Sequence, residues 1–460
     1  MTYQGVSYWL ETCGDPLVPR PALKGGATVD VAILGGGFSG LWTAYYLLKD
    51  NPGLEVAIVE KEVCGYGASG RNGGWCSPRY PLNPDVIERR YGADVARRTV
   101  QAMYDTVEEV GRVCAEEGID ADFRLSGILS IARGQAQVDS VLASHATYSR
   151  LGFGDGNRLL GADEAREMVK VTGMVSAMHT PKAGALHPAK LARGLARTVE
   201  RLGGVIYEQT EVLGIETGAS PALKTSGGTL KARRAVVAAG EAYLPRLAPY
   251  GRTVLPMSSS IVLTRPLTKA QWAQIGWEGG QNLGSQAYTI DYLSKTPDGR
   301  ILYGSRGAPY AFGSSTEGGE AAAAGLYDHM RQTVREWFPA IGADDFSHAW
   351  TGFLGVTRDW SPCVGFDAER KVGGMYGYTG RGVSTTNLAG RLQASQIMGR
   401  ETELATLPLA QHSSRSWEPE PLRWLGVRYI QDAFRRMDTA RDAGERPPID
   451  AEIAKALATP

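Results

Sequence analysis

The sequence predicts an α/β protein whose two domains are threaded through one another. Three observations carry that prediction. At 460 residues the chain exceeds what one ordinary hydrophobic core organises. Residues 28–60 read as strand, glycine turn, helix and strand, the pattern of a doubly wound parallel sheet. Residues 252–349 read instead as short alternating strands, SSSIVLTRPL, QAYTIDYL and RILYGSRGAPY, separated by turns such as Pro297-Asp298-Gly299.

The first of these stretches is the most specific. Val29, Val31, Ile33 and Leu34 make the largely β-branched run of a buried parallel strand. Gly35-Gly36-Gly37-Phe38-Ser39-Gly40 follows, with glycines at its first, third and sixth places. Leu41–Lys49 then reads as a helix and Leu54–Glu60 as a second strand. In this arrangement Gly35 permits a tight turn, Gly37 lets the backbone approach a pyrophosphate, and Gly40 lets helix and strand pack closely. The helix N-terminus brings unpaired N–H groups and partial positive charge to the phosphate. Glu60 stands twenty positions after Gly40, where a carboxylate accepts both hydroxyls of an adenosine ribose and repels a 2′-phosphate. In a chain with 58 glycines a lone GxGxxG means little; strand, glycines, helix, strand and terminal acid together indicate dinucleotide binding. The stretch does not separate NAD from FAD.

Composition narrows the class. Lysine plus arginine and aspartate plus glutamate number 49 each, so no global field favours nucleic acid. Cys13, Cys64, Cys76, Cys114 and Cys363 show no C-x-x-C spacing, which argues against a disulfide framework or a metal site and suits a reducing compartment. The opening MTYQGVSYWLETCGDP has neither a basic n-region nor an apolar core, and no apolar run approaches the roughly 20 residues that span a bilayer. The expectation is a soluble cytoplasmic protein with no transmembrane segment.

Residues 61–75, KEVCGYGASGRNGGW, contain seven glycines, alanines and serines, which let backbone N–H groups crowd against a flat, polar ligand. Arg71 adds a cation and Asn72 an amide that donates and accepts. Strand–GxGxxG–helix–strand–Glu followed by GASGRNGG resembles the FAD-dependent amine oxidases of the D-amino-acid oxidase superfamily, the γ-glutamylputrescine oxidase type above all. The resemblance is dense in Asp30–Trp75 and returns near Gly184–Val212 and Thr357–Gly399. It implies a Rossmann-like FAD-binding domain of the glutathione-reductase type, interleaved with a β-sheet-rich substrate domain. The implied division is 1–120, 184–250 and 350–400 for FAD, 121–183 and 251–349 for substrate, and 401–460 for a helical C-terminal extension. Lys61, Ala68, Ser69, Arg71, Asn72, Gly73 and Gly74 are then implied cofactor contacts beside Gly35, Gly36, Gly37, Phe38, Ser39, Gly40 and Glu60.

Beyond this segment, Arg79–Gly118 reads as helical, with Val100, Met103, Val107, Val110 and Val113 recurring at three and four. Gly161–Lys170 reads as a surface helix. Pro188 opens a further helix with a buried stripe of Leu191, Leu195, Val199 and Leu202, stopped by Gly203-Gly204, and Val205–Val212 follows as a strand. The resemblance places Val212 against the adenine and Gly240, at the end of Thr229–Gly240, beneath the cofactor. His187 is either a substrate neighbour or a helix cap. In the β-rich region Tyr288, Tyr292, Tyr303 and Arg306 are candidate substrate residues, with core packing the competing role for the tyrosines and Arg306 suited to a carboxylate. Trp350, where the chain is expected to return towards the FAD domain, is a further candidate. Glu320–Phe338 reads as a helix outside that sheet.

Thr357-x-Asp359-x-x-Pro362-Cys363-Val364-Gly365 resembles the family's T-x-D-x-x-P-x-I/V-G signature. Gly380, Gly382 and Val383 then start a helix implied to aim N–H groups at the flavin's N1–C2=O edge, which gains negative charge on reduction. Pro-Cys-Val-Gly differs from the motif that links flavin to cysteine in some relatives, so non-covalent FAD is expected. Beyond Thr402, Trp424–Met437 reads as an amphipathic helix, presenting Trp424, Val427, Ile430, Phe434 and Met437 to the body of the protein rather than to a membrane, and residues 446–460 as a loose tail. The activity implied is oxidation of an amine or amino acid: a hydride passes to flavin N5, the imine is hydrolysed, and molecular oxygen is reduced to hydrogen peroxide. Competing readings are a dehydrogenase feeding a quinone or carrier, a flavin monooxygenase, and a non-catalytic flavin-binding subunit. No residue is assigned as catalytic base or oxygen activator.

Overall fold

A computed structural model of the chain describes residues 2–306 and 309–458; of Arg306, Glu320 and Asp442 only the backbone enters the description. Among these residues two eight-stranded sheets carry the architecture. In the first, Gly25–Leu34 lies parallel to Val56–Val59 on one side and to Gly228–Ala238 on the other. Val205–Tyr207 continues the sheet beyond Val56–Val59, and Val372–Tyr376 runs along the far end of Gly228–Ala238, both in parallel. Val31, Ala32, Ile33, Val236 and Val237 are fully buried, which is why these strands read as unbroken apolar runs.

The helix Phe38–Asp50 packs on this sheet, with Leu41, Trp42, Ala44, Tyr45 and Leu47 inaccessible to solvent. Its other neighbour is the helix Gly382–Ile397. The two meet at Gly390, where a Cβ would lie 2.7 Å from the Trp42 Cβ. Each large side chain buried here contributes roughly 1.5–3 kcal/mol.

The second sheet orders its strands as Phe346–Val356, Leu255–Thr264, Ile301–Arg306, Asp291–Lys295, Asn282–Ser285, Ile128–Arg133, Met174–Thr180 and Arg158–Gly161. The helix Gly319–Trp337 covers one face, burying Met330, Val334 and Trp337 against Val262 and Tyr303. Phe346–Val356 pairs with Leu255–Thr264 from Phe346–Thr264 to Val356–Leu255. The chain therefore leaves this sheet after Val356, not at residue 350 as the sequence reading had it.

Three further elements differ from expectation. The single strand read over Val205–Val212 is two, Val205–Tyr207 and Val212–Glu216. Between them Glu208 turns inward, fully buried, to pair with Arg193 at 2.9 Å and Arg20 at 3.0 Å and to accept the Cys64 N–H at 2.7 Å. Breaking such a buried pair typically costs about 3–5 kcal/mol, so the ion cluster overrides strand propensity here. The tail read as loose holds a helix, Ala451–Ala458, tethered where Asp450 accepts from Tyr429 Oη at 2.8 Å and pairs with Arg436 at 2.7 Å. The N-terminal segment, which shows no periodicity, forms a short helix, Tyr8–Thr12, that buries Trp9 and Leu10. The C-terminal helix Leu422–Asp442 lies on the body of the protein, with Val427, Ala433 and Met437 buried. Among the described residues no helix is long and apolar enough to cross a membrane, and no cluster could hold a metal ion.

Candidate functional site

The glycine turn is built by close backbone approach. Gly35 has φ +104°, and a Cβ there would stand 2.6 Å from the Ala239 carbonyl oxygen. A Cβ on Gly40 would overlap the Gly35 carbonyl oxygen, so helix and strand meet only because both positions lack side chains. Gly37 caps the helix with no side-chain hydrogen bond of its own. Ser69 instead crosses from the second glycine segment, its Oγ accepting the Phe38 N–H at 2.9 Å. Glu60 accepts the Gly36 N–H at 2.8 Å and the Glu62 N–H at 2.9 Å. Burial raises its carboxyl above the ordinary range, and these two donors oppose the rise.

The Ala68–Gly74 segment is held from within and from below. Asn72 accepts the Gly74 N–H at 2.8 Å and donates to the Ala68 carbonyl at 3.1 Å. Arg71 donates to the carbonyls of Tyr66 at 2.9 Å and Thr351 at 3.1 Å and lies over the Tyr66 ring. Beneath, Ser7 Oγ donates to Gly70 O and Trp9 Nε1 to Asn72 O, each at 2.7 Å. Sequence reasoning missed this N-terminal support, because neither Ser7 nor Trp9 belongs to a recognisable pattern.

These walls enclose a cavity of about 910 Å³, towards the upper end of the roughly 300–1,000 Å³ usual for small-molecule sites. One end is bordered by Glu60, Lys61, Glu211 and Val212. The middle runs past Gly35, Gly37, Phe38, Ser39, Ala68, Ser69, Arg71, Asn72, Gly73 and Gly240. Gly380, Gly382 and Val383 close the side formed by the late helix. Gly36, Gly40 and Gly74 do not face the cavity: they pack behind it, against Cys64 and Glu60, Gly35, and Leu186 respectively.

The second sheet supplies the remaining wall through Ser259, Gly284, Ser285, Gln286, Ala287, Ile290, Asp291, Tyr292, Phe353 and Leu354. Tyr292 bridges the two halves. Its Oη is 3.1 Å from Ser259 Oγ, and a Cβ on Gly73 would overlap its ring. Burial pushes the Asp291 carboxyl up to about 6, against the Ser285 N–H and Oγ that each donate to it at 2.8 Å. Arg79 and Arg381 also line the cavity, hydrogen-bonded to Ser130 Oγ and to the Tyr80 carbonyl.

Of the other candidate substrate residues, His187, Tyr288, Tyr303 and Trp350 lie outside the cavity lining. His187 is buried at the start of the helix Pro188–Arg201, where Nδ1 accepts the Lys190 N–H at 3.2 Å and Nε2 faces Thr12 Oγ1 at 3.1 Å. It is a cap outside the cavity lining, and burial lowers its pKa to about 4. Tyr288 is 41% exposed and packs beneath the C-terminal helix beside Phe434. Tyr303 is buried in the second core against Trp337. Trp350 stands behind the wall, its Nε1 donating to the Arg71 carbonyl at 2.9 Å. Arg306 ends its strand opposite Ser259, and its side chain lies outside the described residues.

One lining residue had no sequence signal at all. Glu241, with φ +46°, follows the Gly228–Ala238 strand and turns its carboxylate onto the N–H groups of Gly377 at 3.0 Å, Gly355 at 3.1 Å and Tyr378 at 3.3 Å. It thereby joins the end of the second sheet to the loop before the late helix. Burial drives its carboxyl up to about 7, with the three N–H groups pulling the other way.

A glycine-capped helix start, an acid ending the adjacent strand and a glycine-walled cavity opening on a second, polar sheet define a dinucleotide-dependent enzyme class. Sequence comparison makes the identification specific: the DAO family, FAD dependent oxidoreductase, matches residues 30–396, and the chain belongs to it. The chain is 30% identical to gamma-glutamylputrescine oxidoreductase of Escherichia coli (strain K12), across 89% of this chain and 93% of that protein. It is 27% identical to glycine oxidase of Geobacillus kaustophilus (strain HTA426), across 83% and 97%. The crystal structure of glycine oxidase from Geobacillus kaustophilus superposes with a TM-score of 0.69 at 24% identity, covering 84% of this chain and 98% of that one. L-proline dehydrogenase from P. horikoshii has the same fold, with a TM-score of 0.65 at 21% identity and coverage of 84% and 96%. The family's cofactor, FAD, fits the residues present: Gly35, Gly37 and Gly73 line the cavity without side chains, Arg71 and Asn72 border it, and the Glu60 carboxylate stands at one end.

Proposed function

We infer that this enzyme oxidises an amine or amino acid, with molecular oxygen as electron acceptor and hydrogen peroxide as product. The observation that carries the reading is the continuity of one cavity, from the Gly35–Ser39 turn to Ser259 and Tyr292 of the second sheet. A nucleotide fold alone would leave that sheet without a part in the site. FAD, when bound, supplies the ring that takes a hydride from the carbon next to nitrogen.

The chain's own residues then have separable tasks. Glu60 would accept hydrogen bonds from the ribose hydroxyls, and the Phe38–Asp50 helix start with Ser69 would hold the pyrophosphate. Arg71, Asn72 and Gly73 would hold the ribityl and ring portion, and Gly380, Gly382 and Val383 would offer it backbone donors. Val212 and Lys61 would hold the adenine portion. Tyr292, Ser259, Gln286 and the cations Arg79 and Arg381 orient the substrate; guanidiniums on this side suit an amine that also bears a carboxylate. The imine product leaves and is hydrolysed by water.

FAD is held without a covalent bond in this reading. Cys363 is buried in a hairpin, its Sγ directed at Ser361 O, and no cysteine or histidine is among the described lining residues. Five buried free cysteines agree with a cytoplasmic setting. Oxygen is favoured as acceptor by the 27% identity to glycine oxidase.

The test is anaerobic mixing of the purified yellow protein with polyamines, N-methyl amines and D- and L-amino acids, following the flavin band near its visible maximum. Bleaching by one class, and peroxide formation on admitting air, is the expected result. A protein that stays colourless when offered FAD, or whose flavin no amine bleaches, sinks the reading; bleaching without peroxide replaces oxygen by another acceptor.

A further inference from the structure

The match to the family ends at residue 396, yet the chain beyond it reaches back to the cavity. The strands Asn282–Ser285 and Asp291–Lys295 are joined by a five-residue loop, 286–290, three of whose members, Gln286, Ala287 and Ile290, line the substrate side. That loop is held from outside by the C-terminal helix. Asp438 uses both carboxylate oxygens, accepting the Tyr288 N–H at 2.9 Å and the Thr289 N–H at 2.7 Å. Arg441 donates to the Gln286 carbonyl at 3.1 Å and pairs with Asp438 at 2.9 Å. The Phe434 ring lies against Tyr288.

A second strap repeats the device on the neighbouring loop. Gln431 accepts the Tyr310 N–H at 3.2 Å. Glu420 accepts from Tyr310 Oη at 2.9 Å and the Gly313 N–H at 3.0 Å. From there the chain runs to Thr316 and Glu317, which also border the cavity. Both loops turn polar backbone groups outward, and charged and amide side chains of the extension satisfy them. A carboxylate taking two successive N–H groups fixes the direction of both peptides, and so the direction in which Gln286, Ala287 and Ile290 face.

We propose that Asp438 and Arg441 are positioning residues for substrate: the C-terminal helix sets the shape of the 286–290 wall without touching FAD. The proposal rests on the functional reading above, in which that wall meets the substrate amine. It gives the extension a role that bare packing of Val427, Ala433 and Met437 does not need.

The experiment compares Asp438→Ala, Asp438→Asn and the parent holoenzyme. Asp438→Ala removes both acceptors; Asp438→Asn keeps one carbonyl oxygen and is the partial rescue. The expected result is KM raised about tenfold in Asp438→Ala and less in Asp438→Asn, with kcat within about twofold and bound FAD unchanged. Hydrogen exchange, which needs no substrate, should show the Tyr288 and Thr289 amides losing about tenfold or more of their protection in Asp438→Ala. Unchanged protection overturns the clamp, and lost protection with unchanged KM overturns its role in substrate fit. Parallel loss of FAD and kcat at constant KM shows a purely structural helix and overturns it as well. Failure of the functional reading is distinct, because then the parent enzyme itself is bleached by no amine.

Discussion

The two walls of the cavity are made by different means. The cofactor side leans on backbone: Gly35 and Gly40 bring main chain against main chain, and backbone N–H groups stand there beside the strand-ending Glu60 and the side chains of Ser69, Arg71 and Asn72. The substrate side is mostly side chain: Tyr292, Ser259, Gln286, Asp291, Arg79 and Arg381, with Tyr292, Arg79 and Arg381 held by partners far along the sequence and Asp291 by nearby Ser285. A backbone wall tolerates almost no added atoms, because carbonyls cannot rotate away as side chains do. A side-chain wall tolerates exchange, and exchange changes what fits rather than whether the protein folds. One fold can thus keep its cofactor while relatives named for different substrates diverge.

The strongest way to break that contrast is Gly40→Ala. The added methyl meets the Gly35 carbonyl oxygen, and moving that carbonyl moves the Gly35–Ser39 turn that lines the cavity. The expected destabilisation is more than about 3 kcal/mol, above the usual range for an overpacked methyl because the obstacle is backbone. The FAD-to-protein absorbance ratio of the purified variant should fall at least about tenfold. Normal FAD loading in Gly40→Ala would mean that the close approach is not what builds this wall.

His187 tests the border between the halves. As a cap it must stay neutral, since Nδ1 accepts from the Lys190 N–H. Its folded pKa of about 4 lies below the unfolded value of 6.5. The unfolded chain therefore binds the extra proton between those values, and the associated stability is complete above pH 6.5 and is lost as pH falls towards 4. The loss at pH 4 is at most about 3 kcal/mol. His187→Asn keeps an acceptor for Lys190 and has nothing to protonate, so its Tm should fall less steeply between pH 6.5 and pH 4. Its KM at neutral pH should match the parent. Parallel Tm curves would remove His187 as the titrating group, and a raised KM would return it to the substrate site.

The same contrast governs what was legible in the sequence. The turn at Gly35–Gly40 and the acid at Glu60 are short-range features, and their spacing alone announces a dinucleotide fold. The β-rich second region and the docked C-terminal helix were legible too, as strand alternation and as one apolar face. Glu241 was not, because its acceptor role depends on Gly355, Gly377 and Tyr378, more than a hundred residues away. Nor was Glu208, whose buried pairs with Arg20 and Arg193 interrupt what otherwise reads as one strand. Tyr288, Tyr292 and Tyr303 show the limit most plainly. All three are tyrosines of one β-rich region, and only the pairing of strands decides that Tyr292 faces the cavity and Tyr303 the core, while the docked C-terminal helix decides the place of Tyr288 in its loop.

Tyr292→Phe sharpens the comparison with the smallest change. It keeps the ring that fills the space beside Gly73 and stands edge-on to Trp75, and removes only the hydroxyl shared with Ser259. If the substrate wall acts through side-chain polarity, FAD content and Tm should stay at parental values while kcat/KM falls by up to about tenfold, the worth of roughly one hydrogen bond of about 1 kcal/mol. A rise in KM at unchanged kcat would place the hydroxyl on the bound amine, whereas an equal fall in kcat at unchanged KM would place its contact in the transition state alone. Loss of FAD instead would show that Tyr292 belongs to the cofactor wall, and the division between a backbone half and a side-chain half would have to be redrawn around it.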